Sequence, residues 1–201
     1  MGQYYKTVIV RTGGDTNNKD IITVDNDCNF RDGWCGLKLM EHSYLNNIWT
    51  DSIASFIYKN KVRMAHVGDY ADEYPQYQLA YNENVKTEPL DVSDMYEPNM
   101  YDDGETLKEF DYNGKYLINW DKREYISFDH WKQKNKVSWD DDVYTCPFTI
   151  LTALGNGRGG GDYYSEYPHS EDVGSWAWDE ISIEDKVPEG YTELSELYFK
   201  E

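Results

Sequence analysis

Six apolar side chains at helical spacing (Leu45, Ile48, Trp49, Ile53, Phe56 and Ile57) stand between two β-branched runs, Tyr4–Val10 (YYKTVIV) and Val62–Val67 (VRMAHV). That juxtaposition restricts the fold more than any other feature of the sequence. The two runs read as strands. The apolar stripe reads as one face of an amphipathic helix, which must be buried against a sheet. Ser43 is the expected N-cap and Asn60 the expected stop.

The remaining elements follow the same logic. Thr12–Lys19 (TGGDTNNK) reads as a turn, Ile21–Val24 as its return strand, and Trp34–Met40 as a short strand. Tyr116–Trp120 and Glu124–Phe128 flank Asp121-Lys122-Arg123 as a hairpin. Phe148–Leu154 is a short apolar run, and its periodicity leaves strand and short helix both open. Val173–Ile183 places Trp176, Trp178, Ile181 and Ile183 as a strand would, and Glu193–Phe199 predicts a terminal helical turn. The expected fold is α+β: a mostly antiparallel sheet packed with one principal amphipathic helix, in a single domain over residues 1–201.

Charge is unevenly distributed. The 201 residues carry a net charge of −19. Residues 69–112 hold 13 acidic and 2 basic side chains, and residues 140–201 hold 15 and 3. The remainder of the chain is close to neutral. Aromatics make up 16% of the sequence, 19 of them Tyr, which is too many for a disordered acidic chain. Residues 69–112 contain three prolines and few aliphatics, and read as an acidic, Tyr-anchored insertion. Direct binding to a nucleic-acid backbone is disfavoured, since phosphate contacts need clustered Lys and Arg. Carboxylates on an aromatic scaffold can instead imitate DNA and occupy a basic cleft. Asp69, Tyr70, Asp72, Glu73, Tyr74, Tyr96, Tyr101, Asp102, Asp103 and Glu105 are the candidate partner-binding residues on this reading, because Tyr is a preferred interface residue. The plain alternative is an acidic surface that serves solubility.

A second candidate site is the Gly155–Asp162 loop (GNGRGGGD). It matches G-x-G-x-x-G literally, with Glu180 further along. A dinucleotide site needs a helix after the loop, and Asp162–Pro168 (DYYSEYP) is a poor one. No Gly-Lys-Ser/Thr closes a Walker loop either. Five glycines in eight residues still require unusual backbone angles or a close approach by another group. Gly155, Gly157, Arg158, Gly159, Gly160, Gly161 and Asp162, with Asp179 and His42, form the candidate small-molecule site. Arg158 would act as its carboxylate or phosphate clamp. Glu41, His42, Asp69 and Asp162 all fall at element ends, where they could meet.

No catalytic residue, cofactor or metal site stands out. Asp140-Asp141-Asp142 lacks the spacing of a calcium loop, and there is no H-x-x-x-H, C-x-x-C or G-x-S-x-G. Three cysteines suit a reducing compartment, although the seven-residue spacing of Cys28 and Cys35 leaves a disulfide open. The expectation is a chain without a membrane span or signal peptide.

Several strings belong together: GLKLMEHS (Gly36–Ser43), HVGDYADE (His66–Glu73), YLINWDKREYI (Tyr116–Ile126), ALGNGRGGGDYY (Ala153–Tyr164) and VGSWAWDEISI (Val173–Ile183). Their combination resembles a family of small bacterial and phage proteins without an assigned activity, which often open with Met-Gly-Gln-Tyr-Tyr. In that family the strand often reads Trp-Ala-Gly-Asp. Trp178 stands here in place of the Gly, which would narrow any pocket beside Asp179. The resemblance implies a cytoplasmic protein of a bacterial host, encoded by a phage or mobile element. The expected partner is a host protein with a basic nucleic-acid-binding cleft. Oligomeric state is not legible.

Overall fold

Strand β1 (Tyr5–Arg11) buries both of its faces, which makes it a central strand rather than an edge. The computed structural model describes residues 2–11, 21–24, 37–85, 88–90, 96–98, 105–137, 140 and 142–199. β1 lies antiparallel between β2 (Ile21–Val24) and β3 (Val62–Gly68), with Tyr5 opposite Gly68 and Ile9 opposite Met64. The further strands of the sheet are β4 (Glu88–Pro89), β7 (Tyr116–Asn119), β8 (Glu124–Ser127), β9 (Ala153–Leu154), β10 (Glu180–Glu184) and β11 (Thr192–Glu193). A separate pair, β5 (Tyr96–Pro98) and β6 (Glu105–Leu107), runs antiparallel. The order across the main sheet is β11-β8-β7-β10-β3-β1-β2-β4. β10 pairs with the start of β3 at Val62 and Arg63, and β9 with its end at His66 and Val67. All pairings are antiparallel except β2–β4, β8–β11 and β3–β9, so the fold is α+β as expected.

Five helices accompany the sheet among the described residues: α1 (Leu39–His42), α2 (Ile48–Ile57), α3 (Tyr77–Tyr81), α4 (Phe128–Lys134) and α5 (Pro147–Leu151). The apolar stripe of α2 is buried as its spacing requires. Trp49, Ile53 and Ile57 join Tyr5, Ile9, Val62, Met64, Leu117, Ile181 and Ile183 in one core. Each such side chain contributes roughly 1.5–3 kcal/mol by leaving water. α2 ends at Ile57 with Tyr58 as its C-cap, short of the expected stop at Asn60, whose side-chain amide donates to the Phe56 carbonyl at 3.1 Å.

The N-cap is Asn47, not Ser43: the Asn47 side-chain oxygen Oδ1 accepts from the Trp49 N–H at 2.9 Å. Ser43 instead closes α1, and its own carbonyl accepts from the Cys146 N–H at 2.7 Å. Over Trp34–Met40 the described part is not a strand. Leu37 makes a single bridge to Tyr5, and α1 begins at Leu39. Phe148–Leu154 is both of its alternatives in turn, the end of α5 and then β9. Val173–Asp179 is a series of turns, with Gly174 at φ 79° and Trp178 at φ 68°, and only Glu180 onward is strand. Glu193–Phe199 is no helix. It leaves β11 through a turn at Ser195–Glu196 and buries Phe199 against Trp131 and Tyr163.

The insertion is partly a structural layer. Val8, Val10, Ala65 and Val67 point away from α2, and Ala71, Tyr74, Tyr77, Leu79, Ala80, Tyr81 and Val85 pack over them. Further along, Phe110 and Tyr112 turn into the α2 core, where buried Asp51 accepts from the Phe110 N–H (3.1 Å) and the Tyr112 hydroxyl (2.7 Å). The Thr12–Lys19 turn and the Cys28–Cys35 question lie outside the described residues. Cys146 is a free, fully buried thiol whose pKa is pushed up by that burial.

Candidate functional site

The topology gathers four segments at one end of the sheet. β1 starts where β3 ends, so residues 2–4 lie beside Gly68–Ala71, and the Asp69 N–H donates to the Tyr4 carbonyl at 2.9 Å. β9 runs parallel to β3 and delivers the Gly155–Asp162 loop to the same end. α1 joins through the Met40 N–H, which donates to the Gly161 carbonyl at 3.0 Å.

Gln3 accounts for Gly68 and for two glycines of the loop, Gly155 and Gly159. Its side chain is fully buried in a cradle made by Gly68, Gly155 and Gly159. A Cβ on Gly68 would stand 1.6 Å from its amide nitrogen, and one on Gly159 would stand 2.6 Å from its backbone nitrogen. Neither polar atom of the amide has a hydrogen-bond partner among the described residues. The N-terminal segment is held by the Gln3 N–H, which donates to the Gly160 carbonyl at 3.2 Å.

The loop also holds its own anion. Backbone N–H groups in succession make a concave anion site, and here the Asp162 carboxylate fills it. One oxygen accepts from the Arg158 N–H (2.9 Å) and the Gly159 N–H (3.0 Å), and the other accepts from the Tyr5 hydroxyl (2.9 Å). Burial raises the Asp162 pKa, against those hydrogen bonds. The same burial, with the carboxylate beside it, raises that of Tyr5. Arg158 is engaged as well. Its guanidinium donates to the Tyr70 carbonyl at 2.6 Å and makes a forked pair with Glu73, one arm at 2.5 Å. The hydrogen bonds to Arg158 lower the pKa of Glu73. The clamp proposed for a ligand is thus closed on the acidic segment.

The exposed tyrosines converge on this corner. Among the described residues three large hydrophobic side chains are exposed: Tyr4 (38%), Tyr70 (36%) and Tyr164 (37%). Tyr4 is fastened to Asp69, Tyr70 to Arg158, and Tyr164 donates its hydroxyl to the Gly159 carbonyl at 2.7 Å. Asp72, Glu73 and Glu166 are exposed among them. Both acidic blocks therefore contribute to one surface.

Other expected site residues are placed elsewhere. Asp179 accepts from the Asn119 amide at 2.8 Å and pairs with Lys122 at the β7–β8 turn. It belongs to the Val62 end of β3, about 20 Å from the loop at 3.3 Å per residue. His42 ends α1 near the loop, while its neighbour Glu41 pairs with Lys38 at 2.6 Å. Tyr96 and Glu105 belong to the β5–β6 pair. Tyr101, Asp102 and Asp103 lie outside the described residues. Gln3, Tyr4, Tyr5 and Tyr164 were not singled out from sequence.

A separate shallow recess, with room for about one water molecule, lies between α4 and β11, lined by Trp131, Leu194, Ser195 and the His130–Glu193 pair (2.6 Å). It is smaller than a typical small-molecule pocket. Among the described residues no group of three or more His, Cys, Asp or Glu is placed to hold a metal ion, and no helix is long and apolar enough to cross a membrane. No family model, curated protein or solved structure matches the chain.

Proposed function

We propose that this chain is an interaction protein of phage or mobile-element type, acting in the bacterial cytoplasm. It binds the basic cleft of a host nucleic-acid-binding defence enzyme, in place of DNA. The observation that carries this reading is the convergence of Tyr4, Tyr70 and Tyr164 with carboxylates of both acidic blocks on one surface. Tyrosine supplies rigid contact area, and a negative field raises the encounter rate with a Lys/Arg-lined cleft. A small-molecule reading of the loop is weakened by its chemistry. The N–H groups of Arg158 and Gly159 are taken by Asp162, and the Arg158 guanidinium by Glu73.

The test is capture of bacterial lysate proteins on the immobilised chain, at low and high salt, with and without duplex DNA as competitor. The expected result is a nucleic-acid enzyme retained at low salt and released by either salt or DNA. Retention indifferent to DNA, or no retained protein at all, overturns the reading.

A further inference from the structure

The chain repeatedly builds one kind of cation seat from its own residues, an aromatic ring with a carboxylate beside it. The Lys38 ammonium lies 5.4 Å from the Tyr4 ring centre and pairs with Glu41. Lys59 lies 4.7 Å from the Tyr58 ring centre and pairs with Asp185. Lys61 lies 3.3 Å from the Trp120 ring centre and 3.8 Å from Glu180. Arg158 lies 5.9 Å from the Tyr74 ring centre while Glu73 grips its fork. The ring quadrupole attracts the cation and the carboxylate fixes its orientation.

Tyr70 and Tyr164 repeat the ingredients with their rings exposed. In the sequence Tyr70 stands between Asp69, whose carboxylate accepts from the Tyr4 N–H at 3.3 Å, and exposed Asp72, and Tyr164 is followed by exposed Ser165 and Glu166. We propose that the Tyr70 and Tyr164 rings are seats for arginine side chains of a protein partner, each guanidinium lying on a tyrosine face beside a carboxylate. Arginine fits better than lysine because its planar group can both lie on a ring and fork onto a carboxylate, and on this same surface Arg158 forks onto Glu73 with its guanidinium 5.9 Å from the Tyr74 ring centre. The proposal rests on the interaction reading above and names the chemistry its partner must present.

The probe is tetra-arginine amide, titrated into protein carrying ¹³C-labelled tyrosine and followed by NMR. The Tyr70 and Tyr164 ring signals should shift and saturate, and tetralysine amide should bind several-fold more weakly. Tyr70→Leu and Tyr164→Leu should each weaken tetra-arginine binding about threefold. Tyr70→Phe and Tyr164→Phe keep the ring and should bind as the parent does. Unmoved ring signals, full binding by the leucine variants at unchanged urea midpoints, or equal binding of tetralysine overturns the proposal. If the rings do not respond while DNA still releases a captured partner, the acidic-face reading stands and the seats are lost. If the rings respond but no captured protein yields to DNA, the seats stand and the inhibitor reading falls.

Discussion

Tyr5 donates its hydroxyl to the Asp162 carboxylate at 2.9 Å, joining the first strand to a loop 157 residues later. Both side chains are 1% exposed, so water does not replace the bond if it is removed. Tyr5→Phe keeps the ring and leaves the carboxylate oxygen short of a donor. A loss of about 1.5–3 kcal/mol is expected for a hydrogen bond to a charged group. Urea denaturation measures it, and an unchanged midpoint would remove Asp162 from the account of what closes the loop.

Gln3 gives a prediction of opposite sign. A buried amide without partners costs roughly 1–3 kcal/mol, while its apolar isostere keeps the volume. Gln3→Met should therefore raise the thermal midpoint. A fall of comparable size would mean that the amide is satisfied in solution.

Two buried groups pull the acid stability in opposite directions. The Thr152 hydroxyl donates to the Phe148 carbonyl, so it can only accept from His66 Nδ1, and Nε2 is left bare in the core. Burial pushes the His66 pKa down from 6.5 to about 3. The unfolded chain takes up that proton below pH 6.5 and the folded chain does not, so stability falls as pH drops from 6.5 toward 3. Burial pushes the Asp51 pKa up from 3.8 to about 6, over the opposing bonds from Tyr112 and Phe110. The folded chain then holds a proton that the unfolded chain releases, so stability rises as pH drops from about 6 to about 4. Between pH 7 and pH 5 the His66 contribution is a loss of about 2 kcal/mol and that of Asp51 a gain of about 1 kcal/mol. Asp51→Asn should steepen the acid loss and His66→Gln should reduce it. Urea midpoints at the two pH values give both slopes, and equal slopes in the two variants contradict the assignment.

Trp178 has a left-handed backbone, φ 68°, a conformation that favours glycine. Its indole packs at the margin of the second sheet face. Removing the indole costs stability in any small-residue variant. Trp178→Gly should nevertheless be more stable than Trp178→Ala by about 1 kcal/mol, reversing the usual order of the two residues. The difference in thermal midpoint between the pair is the measurement, and Ala above Gly refutes the strain.

What the sequence revealed was local. The α2 stripe, β1, β3 and the Tyr116–Ser127 hairpin follow from patterns inside a few residues, and no distant group overrides them. The Asn47 cap was hidden because the entry to α2 is set from afar, by the Leu45 N–H donating to the Tyr144 carbonyl. Val173–Asp179 misled because alternating tryptophans imitate a strand. The chain is turned instead by its bonds to α5, with the Gly174 and Trp176 N–H groups donating to the Ile150 and Leu151 carbonyls. The glycine loop was legible as an unusual backbone, and Asp162 was within it. The group packed against Gly155 and Gly159 was not, because Gln3 lies more than 150 residues earlier in the chain.

β10 occupies the seam of the sheet, between β3 from the first third of the chain and β7 from its middle. On the ribosome this order sets a schedule. The β1–β3 pair and the β7–β8 hairpin can form as they emerge, but they remain separate pieces of sheet until residues 180–184 are made. The nascent chain thus carries an unsealed β3 edge from residue 68 and an unsealed β7 edge from residue 119 until β10 emerges, and the two halves of the sheet join late.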